Sequence, residues 1–352
     1  MRFRTVIQFY SLALLGLAAC KKDQPSSPAT YTTVSTLAGT GSYGFTNGLG
    51  ATASFSGPQD IATDAQGTLY VADAGNNCIR KITAAGLVST LAGGTHLGYV
   101  DGPAALACFN NPTGVAVDAK GTVYVADHYN HCIRAITPAG LVSTLAGTGI
   151  GGDTDGPAAT AQFAFPQDVA VDKQGTVYVT DNYYRIRKIS VDGVVSTLAG
   201  SDQSGYADGT GLAARFGSLG GLALDAQGVL YATEYGSGRI RRITPAGVVT
   251  TLAGTGQRGY ADGPASTAQF TGPSGLVIDA QGTIYIADAD GERLRQLTPE
   301  GEVRTLAGTG TRGYVNGPVG TAKFGGPTDL ALDATGNLYV SERGQYIRKL
   351  TK

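Results

Sequence analysis

Six acidic residues recur at matched positions along the chain: Asp73, Asp127, Asp181, Glu234, Asp288 and Glu342, each ending a short apolar run. Taken alone, a ring of six carboxylates suggests a cation site. Each, however, is followed shortly by an arginine: Arg80, Arg134, Arg187, Arg241, Arg295 and Arg348. An arginine held between packed elements needs a partner, because an unpaired buried charge is costly. The two sets are therefore expected to pair, acid to arginine, as structural ion pairs.

A residue present in every copy of a repeat builds the repeat, and a residue that breaks the pattern is the better functional candidate. One such position reads Asp60, Gly114, Asp168, Gly221, Gly275 and Asp329. Three converging aspartates could take a hard cation such as calcium, which prefers oxygen ligands. Bonding of these carboxylates to nearby backbone N–H groups is the alternative. The three histidines, His96, His128 and His131, lack a zinc-ligand spacing such as H-x-x-x-H and read as surface residues. In the fourth copy Leu219 replaces the usual proline, with Gly220-Gly221 beside it. No Ser-His-Asp arrangement, phosphate-binding glycine loop or zinc signature accompanies these residues, and no general base stands out.

The elements that must position them are set by internal repetition. The tetrapeptide T-L-A-G begins at Thr36, Thr90, Thr144, Thr197, Thr251 and Thr305. Asp64, Asp118, Asp172, Asp225, Asp279 and Asp333 follow one another at spacings of 54, 54, 53, 54 and 54 residues. Each copy resolves into four short strand signals, as in Gly114–Asp118, Thr122–Asp127, Ile133–Ile136 and Leu141–Leu145, separated by Gly-containing turns. Four consecutive antiparallel strands per period of this length make one propeller blade. The expected fold is all-β: a six-bladed β-propeller of four-stranded antiparallel blades. The segment Val34-Ser35-Thr36-Leu37 is a fourth strand without its first three, and Tyr346–Leu350 is a third strand without a fourth. The N-terminal strand is thus expected to complete the last blade and close the ring, removing an open edge.

The pattern P-x-G-V-A-V-D, G-x-V-Y-V-A-D and Asn130-His131-Cys132-Ile133-Arg134 resembles the NHL repeat, over essentially all of residues 34–350. The repeat here is longer than the usual NHL blade, the extra residues lying between T-L-A-G and the next first strand, as in 254–273. Strand alternation puts these long connections and the loops after each second strand on one side of the disc. Loops of about 20 residues are uncommon unless ordered by packing or used. The resemblance implies that a ligand would sit on this face. Propeller lyases and lactonases are similar in architecture and hold a metal at the channel mouth; only Asp60, Asp168 and Asp329 offer anything comparable.

The Asp101-Gly102, Asp155-Gly156, Asp208-Gly209, Asp262-Gly263, Asn47-Gly48 and Asn316-Gly317 pairs read as turns. The aromatic positions before them are Phe45, Tyr99, Tyr206, Tyr260 and Tyr314, with Asp153 in the third copy. Such rings could stack on sugars or pack the loop onto its own blade. Cys78 and Cys132 occupy equivalent places, and Cys108 lies in the connection between them. A disulfide of Cys108 with Cys78 or Cys132 is a candidate, sequence leaving the partner open.

Met1-Arg2-Phe3-Arg4 is followed by an apolar run too short to span a bilayer permanently. It ends in Leu17-Ala18-Ala19-Cys20, which resembles the lipobox of bacterial lipoproteins. That resemblance implies a signal peptide over 1–19, lipidation of Cys20, and a polar tether over 20–33 leading to the propeller at 34–352. Lys21 favours the outer membrane on the same resemblance, with the disc facing periplasm or cell surface. The chain carries 26 basic and 27 acidic side chains, and loss of Arg2 and Arg4 would leave 24 basic. A slightly acidic body argues against a nucleic-acid partner, which requires a basic face. The expectation is a monomeric, non-catalytic envelope lipoprotein, touching membrane through its lipid alone and offering a loop face to a protein or glycan. The alternative is a metal-dependent propeller lyase or lactonase-like enzyme. No cofactor is expected, calcium at the three aspartates being the one candidate.

Overall fold

A computed structural model describes residues 30–352. The signal stretch and Cys20 lie outside the described residues. The chain forms six antiparallel sheets arranged as the blades of a propeller. In the second blade the strands run outward from the axis as Pro112–Val117, Val123–Asp127, Cys132–Ile136 and Leu141–Ala146. Val-, Ile- and Tyr-rich segments suit pleated strands packed on both faces. Blades share cores: Tyr70, Ala72 and Ile79 of the first pack with Phe109, Val115 and Val125 of the second.

The recurrent aspartate shapes the turn opposite the channel mouth. Asp118 Oδ1 accepts the N–H groups of Lys120 and Thr122 at 2.9 and 2.8 Å, while Gly121 takes φ +83°. This side-chain-to-backbone turn recurs at Asp64, Asp172, Asp225, Asp279 and Asp333. The turn face is thus nearly the same in all six blades.

Closure follows the expected plan. Thr33–Ala38 pairs antiparallel with Tyr346–Thr351, Val34 opposite Leu350, so both ends of the described chain share the sixth blade. The blades are five-stranded, one strand more than expected. A two-residue strand covers each outer edge: Gly48–Leu49, Gly102–Pro103, Gly156–Pro157, Gly209–Thr210, Gly263–Pro264 and Gly317–Pro318. Proline, which has no N–H to donate, fits such an edge position. Two residues have no readable period, so the long connections give no strand signal.

Candidate functional site at the channel mouth

The acids and arginines sit at the end of each second strand and within each third strand, and the structure pairs them. Arg80–Asp73, Arg134–Asp127, Arg187–Asp181 and Arg348–Glu342 meet at 2.8 Å, Arg295–Asp288 at 3.5 Å, and Arg241 contacts Glu234. All twelve side chains are essentially inaccessible. Each acid also accepts backbone N–H groups of the long connection, as Asp127 does from Asn110 at 2.8 Å. Burial pushes Asp127 and Asp181 up to about 6 and Glu342 up to about 7, against the opposing pull of their arginines and hydrogen bonds. These groups bind one another and present no open coordination site.

The Asx-Gly pairs do more than turn the chain. Asp101, Asp155, Asp208 and Asp262 form second salt bridges to Arg134, Arg187, Arg241 and Arg295 at 2.5–2.8 Å. Asn47 and Asn316 accept from Arg80 and Arg348 at 2.8 Å. Four of the five aromatic positions stack on the same guanidinium groups, while Tyr314 packs 5.1 Å from Tyr346. Arg134 lies 5.1 Å from both the Tyr99 and Phe109 centroids, and Arg80, Arg241 and Arg295 are likewise flanked by two rings. In the third blade Asp153 replaces the outer ring and pairs instead with Arg185 at 2.7 Å. The inner ring (Phe55, Phe109, Phe163, Phe216, Phe270, Phe324) escaped the sequence reading. Its signal is plain in retrospect, a phenylalanine 18 residues before every strand-ending acid.

Asp60, Asp168 and Asp329 do converge at the mouth, lining a cavity of about 70 Å³ with Gln59, Thr113, Gln167 and Thr328. Five of their six carboxylate oxygens accept backbone N–H groups. Asp60 accepts from Ile61 and, across the blade boundary, Val115; Asp168 from Val169 and Leu222; Asp329 from Ile61 of the first blade. Each carboxylate thus staples its blade to the next. The glycines at the equivalent positions leave room for this: a Cβ on Gly114 would stand 2.6 Å from Asp168 Cα, and one on Gly275 would overlap the Asp329 carboxylate. Burial, and then the charge of Asp60, push Asp168 and Asp329 well above the usual carboxylate range. Among the described residues, no group of three or more His, Cys, Asp or Glu side chains is arranged to hold a metal ion.

The candidate disulfide is not formed: Cys78, Cys108 and Cys132 are free thiols. Cys78 and Cys132 open their third strands with side chains fully buried in the blades. Cys108 is held elsewhere, bridging to Val100 with its sulfur 3.8 Å from the Leu106 carbonyl. Strand pairing fixes these directions.

What distinguishes the blades gathers on the mouth face. In four blades the loop after the second strand ends in a left-handed residue with a side chain: Asn77, His131, Glu292 and Gln345 take φ of +54, +52, +51 and +66°. Their side chains accept N–H groups of the neighbouring blade, from Asn111 (2.8 Å), Phe165 (3.2 Å), Gly326 (2.5 Å) and Gly57 (2.5 Å). His131 therefore presents an acceptor Nδ1 and is structural. His128 is buried, its Nδ1–H donating to the Pro166 carbonyl at 3.1 Å, while His96 is exposed. Burial lowers both His128 and His131, favouring the neutral imidazole in each.

Two unlike sectors result. Over blades two and three, His128, Tyr129, His131 and Phe165 form one aromatic cluster with centroids 4.6–6.2 Å apart. Over blades four to six, Asp290 accepts from Tyr235 at 2.6 Å and pairs with Arg258 and Arg343. Arg343 reaches across from the sixth blade to the Tyr235 hydroxyl at 3.4 Å. The tethers that hold the ring recur from blade to blade, whereas these exposed side chains do not.

Comparison with known proteins agrees with this architecture. The NHL repeat model matches residues 55–82 and 109–136, and the teneurin NHL domain model matches 149–209. NHL repeat-containing protein 2 of Bos taurus is 29% identical over 318 residues, covering 79% of this chain and 43% of that protein. The chain thus spans less than half of that relative. An auxiliary nutrient binding protein from Bacteroides thetaiotaomicron superposes with a TM-score of 0.70 at 16% identity, covering 92% of this chain and 77% of the other. A gluconolactonase from Xanthomonas campestris superposes with a TM-score of 0.60 at 16% identity, covering 91% and 89%. At such identities the likeness is one of fold. The chain is a six-bladed β-propeller that contains NHL repeats.

Proposed function

We propose that the chain is a non-catalytic binding module of the cell envelope, anchored through Cys20, whose channel-mouth face holds its ligand. One observation carries this reading. The opposite face repeats the same Asp-centred turn six times, while exposed departures from six-fold repetition concentrate around the mouth. Tyr129, Phe165 and Tyr183 remain 52, 38 and 37% accessible there. Large rings left open to water at one end of a rigid scaffold are a usual source of contact energy in recognition. A binding role is in keeping with the nutrient binding protein that shares the fold.

The lyase or lactonase alternative would place its chemistry on the mouth carboxylates. Asp60, Asp168 and Asp329 instead spend most of their oxygens on backbone N–H groups, one bond from each reaching the neighbouring blade, which supports a structural role. The test is thermal denaturation of the whole chain against a panel of envelope-derived glycans, peptides and divalent cations. A ligand that binds only the folded state raises the midpoint. The proposal expects a shift lost in Tyr129→Ala and retained in the turn-face variant Lys173→Ala. A ligand-induced shift abolished by Lys173→Ala alone would overturn it.

A further inference from the structure

We infer that the mouth sector over blades two and three is a carbohydrate site, in which Tyr129, Phe165 and Tyr183 stack on the C–H faces of neutral pyranose rings. This rests on the mouth-face reading above and names the ligand class.

The first support is backbone geometry. In three blades the long connection passes through a left-handed residue filled by Gly57, Asn111 and Gly326, at φ +64, +54 and +74°. Glycine and asparagine are the residues that tolerate this conformation. The third blade places Phe165 there, at φ +52°. In the same blade Asn182 and Tyr183 are left-handed in succession, at +50 and +61°. Bulky side chains in this region are outliers, and such outliers cluster where a ligand is held. Burial does not account for them, because both rings stay more than a third exposed.

The second support is that the rings pack against one another and against a bonded loop. The rings of Tyr129 and Phe165 stand 6.2 Å apart at 90°, with His128 4.7 Å from the first and 5.4 Å from the second. The Phe165 N–H is bonded to His131, which fixes the loop beneath its ring. Rings already ordered lose little freedom on binding.

The third support is chemical. The ring cluster contains no Lys, Arg, Asp or Glu. The polar groups bonded beside it are the amide of Gln167, 3.2 Å from His128 Nδ1, and the hydroxyl of Thr113, which donates to the Pro166 carbonyl. The aspartates deeper in the cavity are engaged with backbone N–H groups. Aromatic faces beside uncharged hydrogen-bonding groups match a neutral sugar, whose apolar C–H face and hydroxyl rim need both. A cavity of about 70 Å³ admits several waters or a hydroxymethyl arm but no whole ring, so the sugar lies across the rings rather than inside the channel. A purely apolar ligand would need an enclosing pocket, and a polyanion would need a basic face.

The experiment is titration calorimetry of the full chain with neutral hexaoses of glucose, xylose, mannose and galactose, β- and α-linked. Wild type is compared with Phe165→Gly, Tyr129→Ala, and Arg343→Ala on the opposite sector. Phe165→Gly installs the residue that the first and sixth blades carry, so folding is preserved, and an unchanged or raised melting midpoint verifies this. The expected result is binding of at least one hexaose, weakened about tenfold by each ring removal and within twofold of wild type in Arg343→Ala. Sugar binding lost in Arg343→Ala but intact in both ring variants would overturn the assignment to this sector while leaving the mouth face as the binding surface. No hexaose binding, with an envelope protein bound in a Phe165- and Tyr129-dependent way, would overturn the sugar and keep the face. Indifference of every detected ligand to all three variants would overturn both.

Discussion

Four blades are pinned by a buried arginine whose two acidic partners differ in accessibility, and this difference has a measurable consequence in the second blade. Arg134 and Asp127 are both inaccessible and 2.8 Å apart, while Asp101 is 46% exposed and 2.5 Å from the same guanidinium. Asp127→Ala removes the acceptor of the Asn110 N–H and of the Asn130 amide and leaves Arg134 short of its buried counter-charge. Breaking a buried pair on one side costs about 3–5 kcal/mol. In a domain of this size that corresponds to roughly 6–10 °C in Tm, at about 2 °C per kcal/mol. Asp101→Ala leaves the buried partner in place and removes a half-exposed carboxylate, costing about 1 kcal/mol or less. Adding Arg134→Met to Asp127→Ala should recover part of the loss, because it removes the stranded charge. Calorimetry and urea denaturation of the four proteins measure these differences. Equal losses for Asp127→Ala and Asp101→Ala, or no recovery in the double variant, would refute the buried-clamp reasoning.

Further expectations follow from the same geometry. Tyr206→Ala and Tyr260→Ala each remove one ring from a sandwiched arginine and a hydroxyl contact to Thr251 or Thr305, costing about 1–2 kcal/mol by urea denaturation. Asp168 and Asp329 have raised folded-state pKa values, so the folded protein holds more protons than the unfolded chain above the ordinary carboxylate range. Their contribution is greatest at low pH and is lost as pH rises through that window. Asp168→Asn should therefore flatten the decline of Tm as pH rises above the ordinary carboxylate range, and a steeper decline would contradict the assignment. Thiol labelling should modify Cys108 in the native protein and reach Cys78 and Cys132 only on unfolding, since burial pushes both of those thiols far up. Val34→Asp places a charge at a fully buried position of the closing strand, and light scattering should then report aggregation through the exposed edge of the sixth blade.

The fold was legible in the sequence wherever repetition carried it. The spacing of Asp64, Asp118 and their successors marks the blades, and the unmatched strands at Val34 and Tyr346 require closure. The acid–arginine register was readable for the same reason, since six copies of Asp or Glu before Arg admit few arrangements in a blade. What was not legible depends on conformation rather than residue type. Asn77, His131, Glu292 and Gln345 share a left-handed backbone and an acceptor atom but no side-chain identity, so no motif joins them. The two-residue edge strands have no periodicity. Asp60, Asp168 and Asp329 line one cavity, but only the N–H groups of Val115, Leu222 and Ile61 decide between a cation and inter-blade staples. Cys108 suggested a disulfide from chain proximity alone, which strand pairing at Cys78 and Cys132 does not honour. Phe165 and Tyr183 carry the site assignment, and their signal is a glycine-like position filled by a ring, visible only once φ is known.

The most direct test of the mouth face as the binding surface is amide hydrogen exchange of the full chain with and without the ligand that raises its melting midpoint. The account predicts protection confined to residues 128–131, 164–167 and 182–184. Protection centred on the turns at Asp118, Asp172 and Asp225, with the mouth loops unchanged, would contradict it.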